Sequence, residues 1–122
     1  MTLNEYQRQA MTTCLPESEN FSYMMLNLAA EVGEIAGKVG KMIRKRQARI
    51  DDNDITMYHG SDPEVDRQRE LDLQKEAGDV LWQISGLCSV MGWSLDDIAR
   101  QNLQKLADRQ QRHVIDGSGD NR

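Results

Sequence analysis

Between Phe21 and Met42, apolar side chains recur in steps of mostly three and four: Phe21, Met24, Met25, Leu28, Val32, Ile35, Val39 and Met42. That spacing puts one stripe on one side of an α-helix. It predicts a helix over about 18–46, a length that needs other helices to cover its stripe. A second stripe of Ala77, Val80, Leu81, Ile84, Leu87, Cys88 and Met91 answers it. The helix carrying it starts at Asp62-Pro63, an acidic cap followed by proline at the first helical position, and runs to about 91, where Gly92 stops it. At the N-terminus, Thr2 and Glu5 form a T-x-x-E capping box. A short helix over 3–14 follows it and ends near Pro16 in "LPESEN". The last helix begins after Ser94, with Asp96 and Asp97 at its positive end.

No strand pattern of any length is evident. The charged segment around 47–62 reads as a loop or excursion, and residues 112–122, "RHVIDGSGDNR", as an irregular tail. The expectation is an all-α bundle of four to five helices forming one domain over 1–111. The chain has 122 residues, enough for one modest core, so self-association is expected to add to stability. The net charge of −5 offers no basic field for duplex nucleic acid, and the apolar runs are too short to span a membrane. Cys14 and Cys88 are too few for a disulfide framework and read as small core residues in a reduced, cytoplasmic setting. The methionines fall mostly on the stripes and read as core.

The acids on the two long helices are not placed at random. At about 100° per residue, Glu34 lies about −60° from Glu31, while Leu28, Ile35, Val39 and Phe21 lie at roughly +40° to +80°. On the later helix Asp79 lies about −60° from Glu76, with Leu73, Val80, Ile84 and Cys88 at roughly +40° to +120°. Both pairs border an apolar stripe in the same phase, so side-by-side helices bring four carboxylates to one core edge. Such a cluster is self-repelling unless a cation sits in it. Oxygen ligands without Cys or His favour a hard ion, Mg²⁺ or Mn²⁺. The competing reading is a solvated face, in which Glu34 and Lys38 form an ordinary i, i+4 surface pair. A di-iron bundle fits less well, because neither His59 nor His113 follows a Glu by three residues.

On the last helix Asn102, Lys105 and Arg109 share a face. Asn102 falls within the stripe of Leu95, Ala99 and Leu106 and is expected to be buried, as a structural linker or a ligand contact. Lys105 and Arg109 at its border have the charge to meet phosphate, the alternative being solvated bases; Lys41 and Arg44 make a second cationic edge. Trp82 lies off its stripe and either stacks on a base or packs against another subunit, the second being favoured. Gly33, Gly37 and Gly40 lie roughly 120° to 200° from Glu31, away from the acids, and suggest close approach of another helix or subunit.

These residues resemble the MazG-like, all-α nucleoside triphosphate pyrophosphohydrolases. The family's E-x-x-E and E-x-x-D appear in order as "EVGE", Glu31 and Glu34, and "EAGD", Glu76 and Asp79. The text "EVGEIAGKVGK" and "EAGDVLWQISGLCSVMGWSLDDIARQNLQKLADR" is similar to the family almost throughout, as are "LNEYQRQAMTT" and "GSGDNR". The resemblance implies Mg²⁺-dependent hydrolysis of a nucleoside triphosphate to monophosphate and pyrophosphate, with the four acids as metal ligands. It also implies Lys41, Asn102, Lys105 and Arg109 as substrate contacts, and a homodimer or homotetramer. A base pocket would draw on side chains such as Tyr6, Phe21, Asn27 and Trp82. The alternative is a noncatalytic helical dimerisation or regulatory module that keeps the fold, against which the complete acid set speaks. One departure is the 41 residues between Glu34 and Glu76, more than the usual family gap. The excess falls at about 47–62 and reads as a lid, an oligomer contact or a neutral insertion.

Overall fold

The computed structural model describes residues 1–51, 54–57 and 62–121. Four helices dominate: α1 (Leu3–Met11), α2 (Phe21–Arg44), α3 (Pro63–Val90) and α4 (Leu95–Gln111). The architecture is the expected all-α bundle. The ends of the helices are set by local chemistry. The Thr2 hydroxyl accepts from the Glu5 amide while the Glu5 carboxylate accepts from the Thr2 amide, closing the capping box. Asp62 accepts from the Glu64 amide with Pro63 at the first helical position, and Ser94 accepts from the Asp97 amide. Gly92 ends α3 with φ +69°, a left-handed conformation that suits glycine.

Two helices are shorter than their periodicity suggests. α1 stops at Met11 because the Thr12 and Thr13 hydroxyls turn back onto the Gln9 and Ala10 carbonyls. A single 3-10 turn over Pro16–Ser18 follows, and α2 starts only after Asn20, whose side chain accepts from the Tyr23 amide.

The stretch read as a loop holds a hairpin. Strands β1 (Ala48–Asp51) and β2 (Asp54–Met57) pair antiparallel in the register Ala48↔Met57 through Asp51↔Asp54. Residues 52, 53 and 58–61 of the charged segment lie outside the described residues. Ile50, Ile55 and Thr56 supply β-branched residues, but the strands are four residues each and mostly exposed, so no alternating pattern stands out. The hairpin is rooted by Ala48, which is buried where β1 meets α2.

α2 lies along α3, α1 crosses α3, and α4 joins the assembly chiefly through α1. The close approach of α2 to α3 is at Gly86: a Cβ there would stand 2.6 Å from Met24 Cε and closer still to its Sδ. Met24 is fully buried. No such approach occurs within the chain at the α2 glycines. A Cβ at Gly33 or Gly37 would meet open space, and one at Gly40 only the end of Arg44.

Polar contacts tie α1 to the start of α4. Gln7 donates to Ser89 Oγ and to the Trp93 carbonyl at 3.0 Å each, and accepts from the Leu95 amide at 2.8 Å. Asn4 Oδ1 accepts from the Ser94 hydroxyl and the Asp96 amide, and Asp96 accepts from the Leu3 amide. The α3 stripe is displaced from expectation. The most buried residues of that helix are Glu76, Gln83, Ser85, Gly86 and Cys88, whereas Leu81 and Met91 are exposed. At Gly86 the inward position is small because Met24 fills the space opposite it. Of the two thiols, Cys88 is a core residue and Cys14 is half-buried.

Candidate metal centre

The acids come together where α2 runs beside α3. Glu31, Glu34 and Glu76 each present a carboxylate oxygen within 4.8 Å of the others. Glu76 is buried, Glu31 half-buried and Glu34 exposed, so the cluster opens from the core edge to solvent. Asp79, the fourth acid of the pattern, does not join this set. One turn further along α3 it is exposed, and its charge is the second influence, after burial, that pushes up the Tyr6 phenol on α1. Of the pair, Glu76 is the one that meets the α2 acids.

The electrostatics of the cluster are those of crowded like charges. Glu34 is raised above the ordinary carboxylate range, first by the Glu31 charge, then by Glu76 and by a hydrogen bond shared with Glu76. Two side chains partly relieve the crowding. Asn27 Nδ2 donates to Glu31 Oε1 at 3.1 Å, one turn back on α2. Lys38 forms a short charge-assisted bond to Glu76 Oε1, and its ammonium is held protonated chiefly by that bond. The competing reading, an ordinary surface pair of Glu34 and Lys38, is not what forms: the Lys38 Nζ crosses to Glu76 on the other helix. An i, i+4 acid near a lysine masked that role in the sequence. Three hard oxygen donors with a surplus of negative charge fit a hard divalent cation. No His or Cys is among them.

Beside the cluster, α2 presents an open groove of about 470 Å³ lined by Ala30, Gly33, Glu34, Gly37, Lys38 and Lys41. A smaller hollow of about 230 Å³ is shared by Lys38, Lys41, Met42, Gln47, Arg69 and Asp72, so Lys41 belongs to both. The expected phosphate cation on α2 therefore stands next to the acids.

The residues on α4 are arranged differently from expectation. Asn102 is exposed rather than buried, because α4 is held at its N-terminal end and its stripe is left partly uncovered, with Leu106 at 41% and Leu103 at 67% exposure. Asn102 and Lys105 line a shallow hollow with Ile98 and Gln101. Arg109 is buried at 5% exposure, and its Nη2 donates to Asp120 Oδ1 at 3.1 Å and to the Asp120 and Gly119 carbonyls. Lys105 Nζ donates to the same Asp120 oxygen at 3.3 Å. The two cations thus engage the tail and not the acid cluster.

Of the residues considered for a base pocket, Asn27 and Tyr6 border the acids, as described. Phe21 is half-exposed at the start of α2. The Trp82 indole N–H donates to the Ala10 carbonyl and Thr13 Oγ1, pinning the end of α1 to α3.

The MazG nucleotide pyrophosphohydrolase domain matches this chain over residues 19–114, from the turn before α2 through α4 into the tail. This chain belongs to the MazG family. The helical architecture is consistent with that membership. Membership places the protein among the nucleotide pyrophosphohydrolases. The Gene 37 protein of Mycobacterium phage L5 is a relative at 36% identity over 104 residues, covering 85% of this chain and 78% of that protein. No solved structure matches the chain. The MazG match takes in the hairpin.

Proposed function

We propose that the protein is a Mg²⁺-dependent nucleoside triphosphate pyrophosphohydrolase that converts (deoxy)nucleoside triphosphates to monophosphates and pyrophosphate, with Mn²⁺ as a possible substitute ion. The observation that carries this reading is the convergence of Glu31, Glu34 and Glu76 at the solvent edge of α2 and α3, crowded enough to raise Glu34. These three acids would hold the cation, with Asp79, one turn along α3 and outside their cluster without metal, drawn in as the fourth ligand when the ion binds. A hard divalent ion supplies counter-charge for a phosphate chain and lowers the pKa of water. A carboxylate of the cluster takes the proton of the attacking water. Lys41, beside the cluster, and Asn102, Lys105 and Arg109 on α4 bind the phosphates and offset charge developing on the leaving pyrophosphate. Tyr6, Phe21 and Asn27 are the base-contact candidates; Trp82, whose indole N–H pins α1 to α3, is left out of the pocket.

The catalytic domain spans 1–111, with 112–122 as a tail. Its working form is a homodimer or homotetramer. Among the described residues only Met24, Met42, Ala48, Cys88 and Leu95 are buried apolar side chains, while Leu26 is 75%, Phe21 53% and Val32 52% exposed. A partner covering these surfaces supplies the core that one chain lacks. The role proposed is cytoplasmic cleansing of the nucleotide pool; no helix among the described residues is long and apolar enough to cross a membrane.

The test is a pyrophosphate-release screen over ordinary and damaged nucleoside triphosphates with Mg²⁺, run beside Glu34→Gln. Turnover of at least one substrate, lost in the variant, is expected. A protein that binds the metal yet turns over none of them is not this enzyme.

A further inference from the structure

The tail does not trail into solvent. After α4 ends at Gln111, His113 takes a left-handed φ of +56°, the Val114 amide returns to the Arg109 carbonyl, and Gly117 closes a turn onto Val114. Gly119, at φ +79°, then brings Asp120 back against α4. One carboxylate oxygen of Asp120 accepts from both Lys105 and Arg109, and two tail carbonyls accept from Arg109 as well. Several anionic or partly negative oxygens around one guanidinium and one ammonium make the pattern that a phosphate group would present to the same pair. Arg109 is 5% exposed under this cover, and its Nε is buried without a partner. Asp120 itself is 84% exposed, so its grip on the two cations is a surface contact of modest strength. The Asp120 carboxyl is held below its ordinary range first by Arg109 and then by Lys105, so it stays charged at neutral pH.

We propose that the tail is an internal competitor for phosphate: Asp120 occupies the anion seat formed by Lys105 and Arg109, and the phosphate chain of the substrate, or pyrophosphate, must displace it to bind. The inference rests on the reading of Lys105 and Arg109 as phosphate contacts, and it resolves a conflict in that reading. A buried Arg109 cannot meet substrate while the tail is down. Displacement of the tail exposes it and makes the tail a gate that sets affinity, leaving the acid cluster untouched.

Inorganic pyrophosphate binding by calorimetry tests this without turnover. The full-length protein is compared with Asp120→Asn, which keeps the tail, and with a chain ending at Asp116. Both are expected to bind pyrophosphate roughly twofold to tenfold more tightly, the range set by losing one or two exposed charge-assisted contacts. Adding Lys105→Ala to Asp120→Asn should remove that gain. In hydrogen exchange of the full-length protein, pyrophosphate should speed exchange in residues 117–121. Equal or weaker binding by Asp120→Asn, or slower tail exchange with pyrophosphate, overturns the proposal and makes the tail a structural or substrate-holding element. Nucleotide turnover is measured separately. A protein without turnover whose pyrophosphate binding still responds to Asp120 loses the enzyme reading and keeps the gate, and the converse result does the opposite.

Discussion

Glu34→Gln is the sharpest probe of the acid cluster, because it moves the metal-free and metal-bound proteins in opposite directions. In the metal-free protein Glu34 sits against Glu31 and Glu76 and is raised by them. The folded state therefore retains a proton that the unfolded chain has already released. Stability from this group accordingly falls as pH rises from the ordinary carboxylate range through the raised value, and the deficit persists at neutral pH. Glutamine removes the repulsion and can still donate to Glu76 as the protonated acid does. The variant should unfold at a higher temperature than wild type in chelator at pH 7, and the difference should vanish toward pH 4. With Mg²⁺ the order reverses. An ion at 100 times its dissociation constant stabilises the folded state by about 2.7 kcal/mol, or roughly 10 °C in Tm for a domain of this size. Altering even an indirect partner of a metal ligand weakens affinity by about tenfold to a hundredfold, and Glu34 would be a direct ligand. At the same Mg²⁺ concentration the stabilisation then drops to about 1.4 or 0.4 kcal/mol. The assay is thermal unfolding followed by circular dichroism, at fixed protein concentration because association is also linked to stability. A variant with the full Mg²⁺ shift, or one less stable than wild type in chelator, would refute the assignment of Glu34 to a cation site.

Three further outcomes follow from named contacts. Lys38→Met removes the ammonium bonded to Glu76; calorimetry should then show several-fold tighter Mg²⁺ binding with a lower Tm in chelator, and unchanged affinity would mean that Lys38 does not share the seat. Gly86→Ala drives a methyl into buried Met24. The overpacking, about 1–3 kcal/mol, should exceed the helix-propensity gain of about 1 kcal/mol, so the urea midpoint should fall; a rise would show that Met24 repacks freely. Trp82→Phe deletes the bonds to the Ala10 carbonyl and Thr13 Oγ1. Urea unfolding should show a loss of about 1 kcal/mol with nucleotide KM unchanged, whereas a raised KM would return Trp82 to the base pocket.

What could be read from the chain alone was what short-range chemistry decides. The capping box of Thr2 and Glu5, the Asp62-Pro63 start, the Ser94 cap and the Gly92 stop each depend on residues within one turn, and each forms. The helix of α2 was legible from its spacing in threes and fours, although Phe21, Met25 and Val32 of that stripe stay exposed within one chain. The hairpin was not, since strands of four residues carry too few alternations to outweigh a run of charges, and its anchor is one buried alanine against α2.

The site divides along the same line. A helical wheel assigns a direction to a side chain but not a neighbour. It placed Glu76 and Asp79 on one border, yet Glu76 is buried beside the α2 acids while Asp79 is exposed and outside their cluster. It placed Asn102 in a stripe, but burial of that stripe depends on what covers α4, and within one chain α4 is fastened at its first turn through Gln7, Asn4 and Asp96 while its middle, with Asn102, Leu103 and Leu106, stays exposed. Lys38 and Asp120 were invisible for a related reason. Each forms its decisive bond with a residue that sequence spacing does not connect to it, Glu76 at 38 positions away and Arg109 across a reversed tail. In both cases a charge that looked solvated in the sequence neutralises one of opposite sign at a proposed ligand position. The cluster that would take a cation already holds an ammonium, and the cations that would take an anion already hold a carboxylate. Substrate and metal would then bind by exchange with the protein's own charges, so affinity at both positions is set by how firmly Lys38 and Asp120 are held.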